Sequence, residues 1–161
     1  MVLRSLSNMT EGERSFVMAH VATAVLGAML AFSAVLRMRQ DAFFVQPVTP
    51  YDIWIVLSGA MGGAFGLYLN RHRMGQVGPA GVVQALGAIF MSNVTGAVIC
   101  GTLALPLYGT MFGPFTLIMI LVSSPVLCLI WLANQLGAYL LLARYHTERD
   151  SIFLPFATKA A

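Results

Sequence analysis

The sequence predicts an all-α integral membrane protein, a bundle of four transmembrane helices with both termini in the cytoplasm. Apolar residues make up 58% of the chain and charged residues only 9%, whereas about 25% of residues are charged in soluble proteins. The 70 residues between Arg73 and Arg144 include no Lys, Arg, Asp or Glu. Four long apolar stretches follow one another, and a helix of about 20 residues crosses the hydrocarbon of a bilayer. These observations exclude a soluble domain and a disordered chain.

The first span is predicted over residues 15–36, a charge-free stretch that corresponds to about 33 Å of helix. We expect the helix to begin earlier, at Glu11, because Thr10 and Glu13 have the spacing of a capping box. Acidic residues precede the stretch, and it is too long for the apolar core of a signal peptide. It is therefore expected to stay in the mature protein.

The second span is predicted over residues 53–70 and the third over residues 80–105. The second has a clear start signal, with Thr49 as N-cap, Pro50 at the first helical position and Asp52 in the first turn. The third is entered through a Gly-Pro pair and ended by a Leu-Pro pair. The connection over residues 38–50 is the longest and the other two are short, so consecutive helices should be antiparallel neighbours.

The fourth stretch, residues 114–143, is longer than a span needs and allows two interpretations. The preferred one is a single long helix that kinks at Pro125. The alternative is a short re-entrant piece over residues 112–124, followed by a span over residues 126–143. Residues 147–161 are too short to cross the membrane again, and we expect an interfacial tail or a segment that docks on a partner.

The distribution of basic residues predicts the orientation. Seven of the nine Lys and Arg residues fall on the side of the termini and two on the other, which favours cytoplasmic termini and an even number of spans. The chain then fits a bacterial inner membrane, and an organelle membrane is the open alternative. An aromatic belt is expected on the outer side from Phe43, Phe44, Tyr51 and Trp54.

Small residues in the second span form the strongest pattern in the sequence. Gly59 and Gly63, and likewise Gly62 and Gly66, are spaced four residues apart, so each pair shares a helix face. Small residues allow two helix backbones to approach closely in lipid. They predict either tight packing within the four-helix bundle or a contact with another subunit or a second copy of the chain.

His20 is the only histidine inside a predicted span. A membrane histidine can ligate haem or the magnesium of a chlorophyll-type pigment, relay protons, or make an ordinary interfacial hydrogen bond. A haem held by two histidines would need His72 or His146 as the second ligand. The sequence leaves these alternatives open.

Uncharged polar residues mark the middle of the third and fourth stretches. Asn93 and Thr95 lie in one, and Ser123 and Ser124 in the other. Because these stretches run antiparallel, the four side chains could meet at one depth. They predict either interhelical hydrogen bonds that hold the bundle together or a polar pathway for a small solute or ion.

No motif for catalysis or for a metal site is recognisable, and no basic cluster suggests nucleic-acid binding. We therefore expect a protein that is not an enzyme: a non-catalytic membrane subunit that packs into a larger complex or a homo-oligomer through its small-residue faces. The alternatives are an oligomeric channel or facilitator for a small solute or ion, and a haem- or pigment-binding protein that uses His20. The expected partners are the lipid bilayer and other membrane subunits or copies of the chain.

Overall fold

The computed structural model of the chain describes residues 9–39, 47–76 and 79–153. The described residues form helices and contain no strand, which confirms the predicted all-helical class. Four helices are long and apolar enough to cross a membrane, which indicates an integral membrane protein. In chain order the helices are α1 (Glu11–Arg39), α2 (Pro50–Asn70), α3 (Pro79–Ala104), α4 (Gly109–Ser123) and α5 (Pro125–Phe153).

The first two helices begin where the local sequence predicts. The Glu13 amide donates to the Thr10 hydroxyl, and the Thr10 amide donates to the Glu13 carboxylate, each over 3.2 Å. Thr49 and Asp52 form the same reciprocal box at the start of α2, where Pro50 occupies the first turn. These local bonds satisfy backbone amides that have no partner inside the helix.

The fourth apolar stretch forms two helices, so the preferred prediction of one long kinked helix over residues 114–143 does not describe the structure. Ser124 has extended dihedrals, φ −135° and ψ 99°, and separates α4 from α5. A residue before proline avoids the helical region because the proline ring clashes with it. The Ser124 hydroxyl then accepts a 3.4 Å hydrogen bond from the Leu127 amide, and Pro125 opens a new helix.

Two further sequence predictions, the C-terminal tail and the aromatic belt, fall only partly within the described residues. α5 continues through Phe153, so residues 147–153 extend this helix, and residues 154–161 of the predicted tail lie outside the described residues. Two members of the predicted aromatic belt, Phe43 and Phe44, also lie outside them. The other two, Tyr51 and Trp54, donate hydrogen bonds of 2.9 Å to carbonyls at the end of α3.

Contacts between the helices define an antiparallel order. α2 packs against α1 and α3, α4 packs against α3, and α5 packs against α1. We call the end where α1 begins the proximal end; α2 ends, α3 begins and α5 ends there. The opposite end, where α1 ends and α4 begins, is the distal end.

The proximal half has a closed apolar core. Its buried members are Ala19, Leu67, Met74, Ala88, Ala138 and Leu142. Met74, in the connection after α2, belongs to this core, and the next residue, Gly75, has a positive φ of 81°. A Cβ on Gly75 would lie 2.5 Å from the Ala143 amide nitrogen, so both the backbone conformation and the space require glycine.

The distal half is packed differently, because α4 has only 15 residues and is shorter than the other helices. It contacts α3 where Gly101 faces Gly109 and Ala97 faces Gly113. It reaches α1 through Ile120, which joins a second buried cluster with Leu26, Leu30 and Ala34. The beginning of α5 supplies Leu127 and Trp131 to this cluster. The space left between α1, α2, α3 and α4 is a cavity.

Candidate functional site

The four glycines of α2 lie at contacts within the chain. Gly59 and Gly63 face α1, where an added Cβ would come within 2.5 Å of the Gly27 and Thr23 carbonyl oxygens, respectively. Gly62 and Gly66 face α3. The glycines therefore let three helix backbones touch, which is the role of small residues in membrane helix packing.

Because α1 and α3 cover these glycines, the predicted contact with a partner subunit is not open at this face of α2. A second subunit could reach these positions only after α1 or α3 had moved away from α2. An oligomeric contact at Gly59, Gly62, Gly63 and Gly66 stays a prediction, and the geometry favours other surfaces for it.

Polar side chains from α3 and α5 meet in the middle of the molecule. The Asn93 oxygen accepts hydrogen bonds from the Trp131 indole nitrogen at 2.8 Å and from the Gln135 amide nitrogen at 3.1 Å. The Asn93 nitrogen donates to the Ile89 carbonyl at 2.7 Å. This polar cluster joins two helices that have few other contacts. Hydrogen bonds between membrane helices typically contribute about 0.6 kcal/mol each.

The predicted polar pathway is not assembled. The Ser123 hydroxyl bonds to carbonyls of its own helix, and Ser124 caps α5. Asn93 instead meets Trp131 and Gln135, which lie about two and three turns after Ser124 on α5. Thr95 lies on α3 outside this cluster, and the channel hypothesis stays a prediction.

A cavity of about 260 Å³ lies between α1, α2, α3 and α4. Its mouth is at the distal end, where the lining residues Met38, Tyr51, Leu105 and Phe112 are exposed. Its closed end carries polar groups beside the Asn93 cluster: Thr23, Ser92, Asn93 and Gln135. The proximal apolar core lies beyond this floor. We call this cavity, which has apolar walls and a polar floor, the funnel.

The sequence marks Asn93 as a central polar residue but does not identify its partners on α5. Trp131 was the missing member of the cluster. Its spacing of four residues from Gln135 places both on one face of α5, and this is the signal that could have linked them. The cavity itself has no local sequence signal, because its walls come from four helices.

His20 is held away from the cavity. Its Nδ1 lies 2.9 Å from the Phe16 carbonyl oxygen, which can only accept, so Nδ1 donates this hydrogen bond. Nε2 is buried without a hydrogen-bond partner among the described residues. The ring packs against Phe16, with centroids 4.3 Å apart, and against the edge of Tyr68.

This setting tests the haem or pigment hypothesis. An unprotonated Nε2 has the right chemistry for an iron or magnesium ligand. A porphyrin also needs open space beside that atom, and Nε2 is enclosed while the cavity is lined by other residues. His146 is directed to the Arg71 carbonyl at 3.4 Å, and His72 is exposed. The residues around His20 do not fit a porphyrin in this arrangement.

Comparisons with protein-family models, curated proteins and solved structures find no match to this chain.

Proposed function

We propose that the chain is a non-catalytic integral membrane subunit that assembles with other membrane proteins or with copies of itself through the outer face of α5. We choose this face because α5 is the least buried of the four long helices. Only 17% of the apolar window of α5 is buried inside the chain, against 39% for α1. A helix that its own chain leaves so open is available to a neighbouring subunit as well as to lipid.

The outer face of α5 also has the residue types that membrane helices use for close contact. Ala133 is exposed, and an added Cβ on Gly137 would meet nothing within 4 Å. The two are four residues apart and share a face. Leu129, Leu136 and Leu140 are exposed on the same helix. Small residues flanked by leucines allow another helix to approach and pack.

The charge distribution supports a four-helix membrane bundle whose proximal end is cytoplasmic. Among the described residues, that end carries Arg14, Arg71, Arg73, Arg144 and Arg149. The distal end carries Arg37 and Arg39, and Arg39 is paired with Asp52. Cytoplasmic loops are enriched in Lys and Arg. This orientation and a bacterial inner-membrane location are part of the proposal.

The experiment is extraction of the chain from its native membrane in mild detergent, followed by measurement of complex mass and composition. We expect a mass above that of one chain, and we expect Gly137→Leu to reduce it. Gly87→Leu is the matched control, because Gly87 is exposed on α3 and its added Cβ also meets nothing. A wild-type chain that is monomeric, or a Gly137→Leu complex of unchanged mass, contradicts the proposal.

A further inference from the structure

Two side chains on the cavity floor, Ser92 and Gln135, have unused hydrogen-bonding groups. They are only 5% and 4% exposed. Six other helical Ser and Thr hydroxyls donate to the carbonyl four residues earlier. The Ser92 hydroxyl makes no side-chain hydrogen bond within residues 9–39, 47–76 and 79–153. Gln135 uses its nitrogen on Asn93, and its oxygen has no protein partner there.

Both residues line the cavity, so a partner for these groups would be a molecule inside it. Buried hydroxyls and amides are nearly always hydrogen-bonded in folded proteins, because leaving them unpaired costs free energy. The Ser92 hydroxyl can donate and accept, and the Gln135 oxygen can accept. A ligand group that suits both is a hydroxyl, which can donate to Gln135 and accept from Ser92.

The side chains that line the walls above this floor indicate that the rest of the ligand is apolar and uncharged. They include Leu26, Leu30, Ala97, Leu117 and Ile120, and no charged side chain lines the funnel among the described residues. From Ser92 to Ala104, α3 rises by about 18 Å, and both residues line the funnel, so the lining is extended along this helix. An apolar cavity of about 150 Å³ accepts benzene, and this one, at about 260 Å³, is larger.

We propose that the cavity binds a neutral single-chain lipid whose hydroxyl head group lies between Ser92 and Gln135 and whose chain extends toward the distal mouth. The apolar walls exclude an ionised head group, since an unpaired charge in this funnel would lose its hydration without compensation. The length favours one chain over a compact ring. This site is independent of the α5 face and of assembly.

The test uses the full chain in lipid nanodiscs and a photoactivatable long-chain primary alcohol that carries a diazirine in its chain. After irradiation, mass spectrometry maps the labelled residues. We expect labelling on the cavity-lining parts of α1, α3 and α4, and we expect dodecanol to compete at least tenfold better than dodecane. Labelling confined to the outer faces of the helices, or equal competition by dodecane, overturns the proposal.

Two variants locate the head group and the chain. Ser92→Ala should weaken labelling of the cavity by about fivefold, as expected for the loss of one hydrogen bond. Ser58→Ala is the matched control, because Ser58 is also buried but donates to the Trp54 carbonyl at 2.8 Å and does not line the cavity. Ala97→Leu should block the chain site. If Ser92→Ala labels like Ser58→Ala, the proposal is wrong. It is also wrong if Ala97→Leu, with wild-type thermal stability, labels like wild type.

Discussion

The proximal and distal halves of this chain share their long helices but are packed in opposite ways. The proximal half closes around fully buried side chains such as Leu67, Met74 and Leu142. In the distal half, the short helix α4 takes the place of a full-length neighbour, and the helices surround a funnel that ends at Asn93. Small residues bring the helices together in both halves. The cavity lies in the distal half because α4 is shorter than the other helices and leaves space beside them.

The largest expected effect comes from breaking the glycine contacts that both halves share. Gly63→Leu would push a side chain into the Thr23 backbone and should cost more than about 3 kcal/mol, so that little folded protein is recovered. The measurement is the monodisperse fraction in mild detergent. Gly87→Leu places the same side chain in open space and should leave this fraction unchanged; equal losses in both variants would contradict the packing described here.

The next prediction compares the stability cost of a leucine-to-alanine substitution in the proximal core with the cost of the same substitution beside the distal cavity. Leu142→Ala should destabilise the chain by about 2 kcal/mol, because it opens a void in the closed proximal core. Leu30→Ala should cost less than half as much, because Leu30 already borders the distal cavity. Unfolding in increasing denaturing detergent measures both changes. Equal costs would mean that the distal half is packed as tightly as the proximal one.

A smaller effect is expected at the floor between the halves. Asn93→Ala removes the acceptor of the Trp131 and Gln135 hydrogen bonds and should cost about 1 kcal/mol. In a Trp54→Phe background Trp131 is the only tryptophan, and its emission should shift when its indole loses this partner. Gln84→Ala, at an exposed position of α3, serves as the control. An unshifted Trp131 emission in Asn93→Ala would contradict the cluster.

The smallest effect concerns the rim of the distal half. Tyr51→Phe removes the hydrogen bond from the Tyr51 hydroxyl to the Ala104 carbonyl and should cost about 0.5 kcal/mol, because this bond is exposed. Tyr108→Phe removes another exposed hydroxyl at the same end and should cost nothing measurable. The thermal midpoints of the two variants give the difference, and a larger loss in Tyr108→Phe would be the opposite of this expectation.

The starts of the helices were predictable because their causes are local. Thr10 with Glu13, and Thr49 with Asp52, satisfy backbone amides within three residues. The break at Ser124 is also local in origin, but the sequence preference for one kinked helix underestimated how far proline restricts the residue before it. The site was less predictable. Asn93 was recognised as polar and central, whereas its true partners on α5 depended on where α4 ends.

The sequence by itself determined that this chain is a helical membrane protein, because lipid offers no partner for backbone polar groups and requires long, uncharged apolar helices. It also determined most helix boundaries through caps and prolines. Only the tertiary structure decided that the α2 glycines face α1 and α3, that Asn93 meets Trp131, and that a funnel remains in the distal half. The physical reason is that apolar helices are nearly equivalent toward lipid, so their partners are selected by the fit of surfaces that lie far apart in sequence.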